Sequence, residues 1–311
     1  LNQSYITEVF PLQSLYFHAR IALAAQCLAL ALVPLACHPS AAQEKPYFVT
    51  YSHDLEEPGN LEIESHAAVA RPDGSTQFGA LAIEFEYGLR AWWTSELYLD
   101  GQTTPQESTL FTGFRIENRI RPILRELPVN PVLYVEYENI SDADKTLLEV
   151  VGHDGQSDLA VPNAIAHRTM QHEAETRLIL SSNLSAWNLS ENFIAEKNLG
   201  HEPWEFGYAL GATRPLATAA SPHPCSLCLQ NLIAGAELYG GLGDTASLTL
   251  ARTSHYLAPL LGWQATPSMR LSFSPGFGLT STALNRIYRI GLAYEFDQFG
   301  SRFFARNGGA R

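Results

Sequence analysis

Beyond residue 60 apolar and polar side chains alternate with a period of two in one segment after another, and no sustained helical period appears. Leu61 and Ile63 oppose Glu62, Glu64 and His66. Leu81, Ile83, Phe85 and Tyr87 oppose Ala82, Glu84 and Glu86, and Trp93, Leu97 and Leu99 oppose Thr94 and Glu96. Phe114 and Ile116 face away from Arg115, Glu117 and Arg119, and Leu133, Val135 and Tyr137 from Glu136 and Glu138. The same alternation runs through Trp204 to Gly211, Met269 to Leu279 and Arg286 to Phe296, with weaker versions at Lys145 to Val151, Glu173 to Ser182, Ala186 to Glu196, Leu229 to Tyr239 and Leu248 to Tyr256. Each is a strand with one apolar face.

The two faces differ in kind. The polar parity carries charges and glycines, while the apolar parity carries aromatics and ends in them, as strands in contact with lipid do. Twelve or thirteen segments are visible. Because single-chain bacterial barrels use even numbers, the expectation is an all-β, closed antiparallel transmembrane β-barrel of about 12 strands, within 10 to 14. Closure follows from physics, since an open edge in lipid would leave unpaired amides at several kcal/mol each. The longest stretch without alternation, Gly152 to His172, reads as a loop with either a short helix near Pro162 to His167 or a weak hairpin.

His18 and Arg20 precede an apolar run from Ile21 to Leu35, followed by Ser40, Ala41 and Ala42, which is the pattern of a secretory leader cleaved after Ala42. The division expected is therefore an N-terminal extension and signal peptide over 1–42, a barrel over 43–296 and a tail over 297–311. The apolar run is shorter than the roughly 20 residues a spanning helix needs. Cys37 after Leu35 and Ala36 is a poor lipoprotein box, because Pro34 stands where that motif wants Leu.

Composition narrows the function. Charged residues make up 17% of the 311-residue chain and the net charge is −12, so no basic stripe offers a nucleic-acid interface. Of four cysteines only Cys225 and Cys228 lie beyond the leader, so no disulfide framework holds the fold. Their HPCSLC context lacks the histidine of a haem attachment site and a second pair for zinc, and a small disulfide is expected.

The candidate chemistry is the inward parity: Glu84, Glu86, Glu96, Arg115, Glu117, Arg119, Glu136 and Glu138 would form neighbouring ladders on one wall of a lumen. They admit two readings, a polar wall that selects solutes and a set of structural ion pairs that fills a narrow barrel. Catalysis is not expected. Glu84/Glu86 and Glu136/Glu138 share a face only as any charged strand does, and His255 beside Ser254 has no third partner of a hydrolase triad. His153, His167 and His172 with Asp154 and Asp158 lack metal-ligand spacing, so neither a metal nor a cofactor is expected. Trp92, Trp93, Tyr98, Trp187, Trp204, Tyr239, Tyr256, Trp263 and Tyr288 are candidates for the interfacial girdles.

The run RIYRIGLAYEF, Arg286 to Phe296, resembles the closing strand of bacterial outer-membrane β-barrels, whose terminal aromatic is read by the barrel-insertion machinery. From Trp263 through PSMRLSFSPGFGLT to that strand, the chain is similar to outer-membrane proteins of the phenol meta-pathway transporter group. That resemblance implies an outer-membrane location, contact with outer-membrane lipid, and transport of small solutes. Fifteen residues follow Phe296, whereas members of the group end at or near that aromatic. The expectation is a passive channel or transporter, with a plugged structural barrel as the alternative and an outer-membrane enzyme after it.

Overall fold

The computed structural model describes residues 45–145, 151–152, 160–200, 202–219 and 225–305. The leader expected over 1–42 lies outside these residues. Twelve strands follow one another around the wall: β1 (Leu61–Ala70), β2 (Phe78–Arg90), β3 (Trp93–Thr104), β4 (Ser108–Ile120), β5 (Asn130–Ser141), β6 (Met170–Leu184), β7 (Trp187–Asn198), β8 (Trp204–Pro215), β9 (Leu232–Asp244), β10 (His255–Thr266), β11 (Met269–Gly278) and β12 (Arg286–Phe296). Each pairs antiparallel with its sequence neighbours, and β12 returns to β1 to close the barrel. The closing ladder is unbroken from Leu61 opposite Phe296 to Ala70 opposite Ile287. Strands of 10 to 15 residues are as long as tilted spanning strands require, roughly 9 to 11.

The alternation in sequence becomes inside and outside. Leu97, Leu99, Ile116, Leu133, Val135, Phe193, Leu261, Phe273 and Ile290 stand exposed on the outer wall, while the charged parity is buried. A continuous apolar exterior around a polar interior is the architecture of an outer-membrane β-barrel. Glu191 is the exception. It points outward between Leu180 and Leu210 of the flanking strands, well away from the strand ends.

Trp187 and Trp204 stand exposed at strand starts, and Trp92 stacks on Trp93 at the β2–β3 turn, as interfacial residues do. Tyr98, Tyr239 and Tyr256 are different: all three are buried and inward, so their assignment to the girdles is corrected. Their parity with Glu96, Glu237 and Ala258 decides it, because a side chain's face follows its register and not its chemistry.

Two strand boundaries also differ from expectation. The segment Leu248 to Tyr256 is mostly a loop, and β10 starts only at His255 and runs to Thr266. Pro259 and Gly262 obscure its pattern, though Pro259 lies outward where it costs no inward contact. Lys145 to Val151 is not a described strand either; residues 146–150 lie outside the described set, and Val151 makes an isolated bridge to Gly207. The expected loop helix is present as α1 (Asn163–Ala166).

The residues after Phe296 turn back onto the barrel as α2 (Phe299–Ala305), whose Gly300 amide donates to the Gly59 carbonyl at 2.9 Å. Phe296 is thus the last residue of the closing strand even though a tail follows.

The outer wall generates a prediction. Val135→Arg should destabilise the lipid-embedded barrel by about 2–4 kcal/mol, and Glu191→Leu should stabilise it by less than that. Urea unfolding in liposomes, followed by tryptophan fluorescence, checks both signs.

Candidate functional site in the barrel lumen

The lumen is occupied by the chain itself. Before entering β1, residues 45–57 fold into the barrel as a loop whose ends are drawn together by the Lys45–Asp54 ion pair, 3.1 Å. Side chains from around the wall hold it. The Glu237 carboxylate of β9 accepts from the amides of Phe48, Val49 and Thr50, at 2.7 to 3.3 Å. Asn192 of β7 binds Tyr51 twice, accepting from its amide at 2.7 Å and donating to its carbonyl at 2.9 Å. Arg177 of β6 donates to the Val49 carbonyl, and Ser181 bonds His53 at 2.8 Å. A chain without strand partners must satisfy its backbone somehow, and here wall side chains take the place of a ladder.

Glycines on the wall make room for this loop. A side-chain carbon on Gly211 would lie 2.5 Å from the Tyr47 ring, and one on Gly262 would lie 2.8 Å from Pro46. Glycine is therefore the residue that permits the close approach.

Around the loop, arginines are shared among carboxylates. Arg119 sits between Glu86 at 2.6 Å, Glu96 at 2.5 Å and Glu117 at 3.3 Å. Arg115 bridges Asp100 at 3.2 Å and Glu136 at 3.1 Å, and lies 4.0 Å from the centre of the Tyr98 ring. Arg270 of β11 binds Glu62 and Glu64, and Arg177 binds Glu175. Tyrosines complete the network: Tyr51 donates to Glu117, Tyr98 to Glu96 and Tyr134 to Glu136. Charges this deeply buried are tolerated only when paired and hydrogen-bonded; each arginine and carboxylate named here has an ion-pair partner, although Glu117 Oε1 and Arg270 Nε make no hydrogen bond.

All eight residues singled out in the sequence, Glu84, Glu86, Glu96, Arg115, Glu117, Arg119, Glu136 and Glu138, are buried on the inward face. They occupy the neighbouring strands β2 to β5. Glu84 is bonded to His66 at 3.0 Å. Glu138 lies with Glu175 and Glu196 in an acidic group near the β5–β6 connection. Asp100, Glu175, Arg177, Glu237 and Arg270 share the lumen and were missed; their inward parity was the signal that could have found them. The loop at 45–57 has no periodic pattern and no such signal.

The remaining wall is apolar toward the mouth formed by the β1–β2, β9–β10 and β11–β12 loops. Ala68, Ala70, Phe78, Ala80, Tyr256, Ala258 and Ile287 form one buried cluster there. The lumen is therefore two-sided, charged over β2 to β6 and apolar over β9 to β2 at this end.

Other candidates fall apart in space. His255 lies on the outward parity and its ring nitrogens bond Tyr208 at 3.0 Å, Thr253 at 2.8 Å and the Leu250 carbonyl at 3.0 Å. His172 stacks on Tyr137 on the outer wall, while His153, Asp154 and Asp158 lie outside the described residues. Cys225 and Cys228 are joined as a disulfide in the β8–β9 connection.

No protein-family model matches the chain, and no curated protein is detectably similar to it. Solved structures similar to it include the COG4313 outer membrane channel from Pseudomonas putida F1, 12% identical with a TM-score of 0.47 over 78% of this chain and 97% of that one. The NanC porin is 10% identical with a TM-score of 0.45, covering 75% and 98%. The KdgM porin, solved in complex with disordered oligogalacturonate, is 8% identical with a TM-score of 0.43, covering 76% and 99%. Likeness at this level assigns neither a family nor a cargo.

The shared arginine yields a prediction. Arg119→Ala leaves three buried carboxylates without their cation and should cost about 3–5 kcal/mol, of which adding Glu96→Gln recovers part. Urea midpoints of the single and double variants measure this.

Proposed function

We propose that the protein is an outer-membrane channel for small solutes that its own N-terminal segment, residues 45–57, holds shut from the end where the barrel strands begin and finish. The observation that carries this reading is how the segment is held. It is bound by side chains of the wall, Glu237, Asn192, Asn188 and Ser181, and adds no strand to the sheet. Among the described residues the one β-bridge next to it is Pro58 with Gly88, just past its exit. Such contacts exchange for water without opening the barrel's ladders, so the lumen can empty while the wall stays intact. A leader ending at Ala42 would place the new N-terminus just ahead of this loop.

The apolar patch near one mouth and the charged wall opposite support passage of small solutes with both apolar and polar parts. The resemblance of the C-terminal strands to phenol meta-pathway transporters points the same way. Neither feature calls for an enzyme. A second reading, a permanently filled barrel with a structural role, is favoured by how fully the lumen charges pair with one another.

Planar-bilayer recording separates the two. The wild-type protein is expected to conduct rarely, whereas deletion of residues 45–57, or Glu237→Ala with Asn192→Ala, should give long-lived discrete steps. Because carboxylates outnumber arginines on the inner wall, those steps should prefer cations, and Glu138→Gln should weaken the preference. A folded, heat-modifiable deletion variant that stays silent would sink the channel reading and leave the filled barrel.

A further inference from the structure

Five described arginines face the lumen, and four of them, Arg115, Arg119, Arg177 and Arg270, are ion-paired with carboxylates. Arg289 of β12 is not. It is only 7% exposed, and among the described residues its one hydrogen bond runs from Nη1 to the Tyr239 hydroxyl at 2.6 Å, with the Tyr239 ring beneath it. A nearly buried guanidinium held by one neutral oxygen lacks the counter-charge that its four counterparts have.

Beside it is a cavity of about 160 Å³, bounded by the inserted loop on one side and the wall on the other. Ala68, the register partner of Arg289, forms part of its floor. Over the next inward position, Gly291, a side-chain carbon would meet the Glu64 carboxylate first, at 2.8 Å, and the Phe48 ring at 3.5 Å. The carboxylates that line the cavity are already engaged: Glu64 by Arg270, Glu84 by His66 and Asp100 by Arg115. What remains free in this cavity is one positive charge next to apolar surface.

We infer that the cavity is a subsite for a small monocarboxylate with an apolar body. The carboxylate pairs with Arg289, the geometry a guanidinium fork matches best, and the body rests on Phe48 and Ala68. An apolar cavity of about 150 Å³ accommodates a benzene ring, so a single-ring aromatic acid is the natural size. The inference deepens the channel reading by naming a solute class, yet binding at the subsite does not depend on passage.

Isothermal titration of the detergent-folded full chain with benzoate, and with uncharged benzamide as the matched control, tests it. Wild type should bind benzoate and bind benzamide far more weakly. Arg289→Gln should weaken benzoate binding about tenfold or more, the size expected for losing one charge-assisted contact, and Arg289→Lys should keep part of it. Heat-modifiable mobility reports folding of each variant. Should Arg289→Gln not fold, the wild-type contrast between benzoate and benzamide and the Arg289→Lys titration still decide. Equal binding of the two probes by wild type, or benzoate binding unchanged in Arg289→Gln, overturns the subsite. Arg289-dependent benzoate binding by a protein whose loop-deleted form passes no solute keeps the subsite and removes the channel; conductance without such binding does the reverse.

Discussion

The pairing of β12 with β1 is the constraint on which everything else rests. In lipid no water is available to an unpaired amide, so twelve strands with one apolar face each have no stable arrangement except a closed ring. The ladder from Leu61–Phe296 to Ala70–Ile287 removes the last two edges. Once it forms, parity is locked around the whole wall, because a slip of one residue would turn Glu62, Glu64 and Glu295 to the lipid. The α2 turn packs at this seam, with the Gln298 amide donating to Asn60 while Asn60 donates to Glu295 at 2.6 Å. The seam is thus hydrogen-bonded inside as well as along the ladder.

Closure creates a second problem and the lumen is its solution. A ring of twelve strands leaves space that must be filled by side chains, by water or by chain. Here Glu117 and Arg119 of β4 and Arg177 of β6 face the folded-in loop 45–57, and the two requirements meet. The loop brings backbone amides that Glu237 and Asn192 need, and Tyr51, which reaches Glu117 and the Arg119 and Arg177 guanidinia. The wall contributes acceptors that a strandless segment needs. Each half would carry buried unsatisfied groups without the other or water in its place.

Much of the wall was legible from the chain because period two is a local property: residues two apart share a face whatever surrounds them. This holds for β1 to β5, β8, β11 and β12, whose inward and outward sets are those the alternation gives. It fails where glycine, proline or tyrosine sits on a face that composition does not mark. Composition does not separate Tyr98, Tyr239 and Tyr256 from girdle residues, because a tyrosine suits an interface and a polar lumen equally well. β10 was misplaced because Pro259 and Gly262 dilute its pattern. The candidate site was half legible. Glu84 to Glu138 follow from parity, but which arginine serves which carboxylates depends on register between strands, and the inserted loop is a long-range feature that no local period announces. The contrast between four paired arginines and Arg289 exists only once the strands are laid side by side.

The polarity of the interior also explains why filling the barrel need not be permanent. An apolar plug would be held by area, a strength that water cannot replace. This loop is held through amides, carboxylates and hydroxyls, and each such contact is worth only about 0.5–1.5 kcal/mol net, because water offers a comparable partner. Its apolar contacts are Tyr47 against Gly211, Pro46 against Gly262, Phe48 near Gly291, Val49 in the apolar cluster, and Tyr51 and Leu55 against Val132, Tyr134 and Ile179. The first three rest on glycines, where the wall gives space and little surface. A segment held this way can be tightly ordered while the free energy separating it from a hydrated, empty lumen stays modest, whereas the ladders around it have no such alternative. The stability of the wall and the occupancy of the lumen are therefore set by different interactions, which is the physical condition for a channel whose closed state leaves the barrel unchanged.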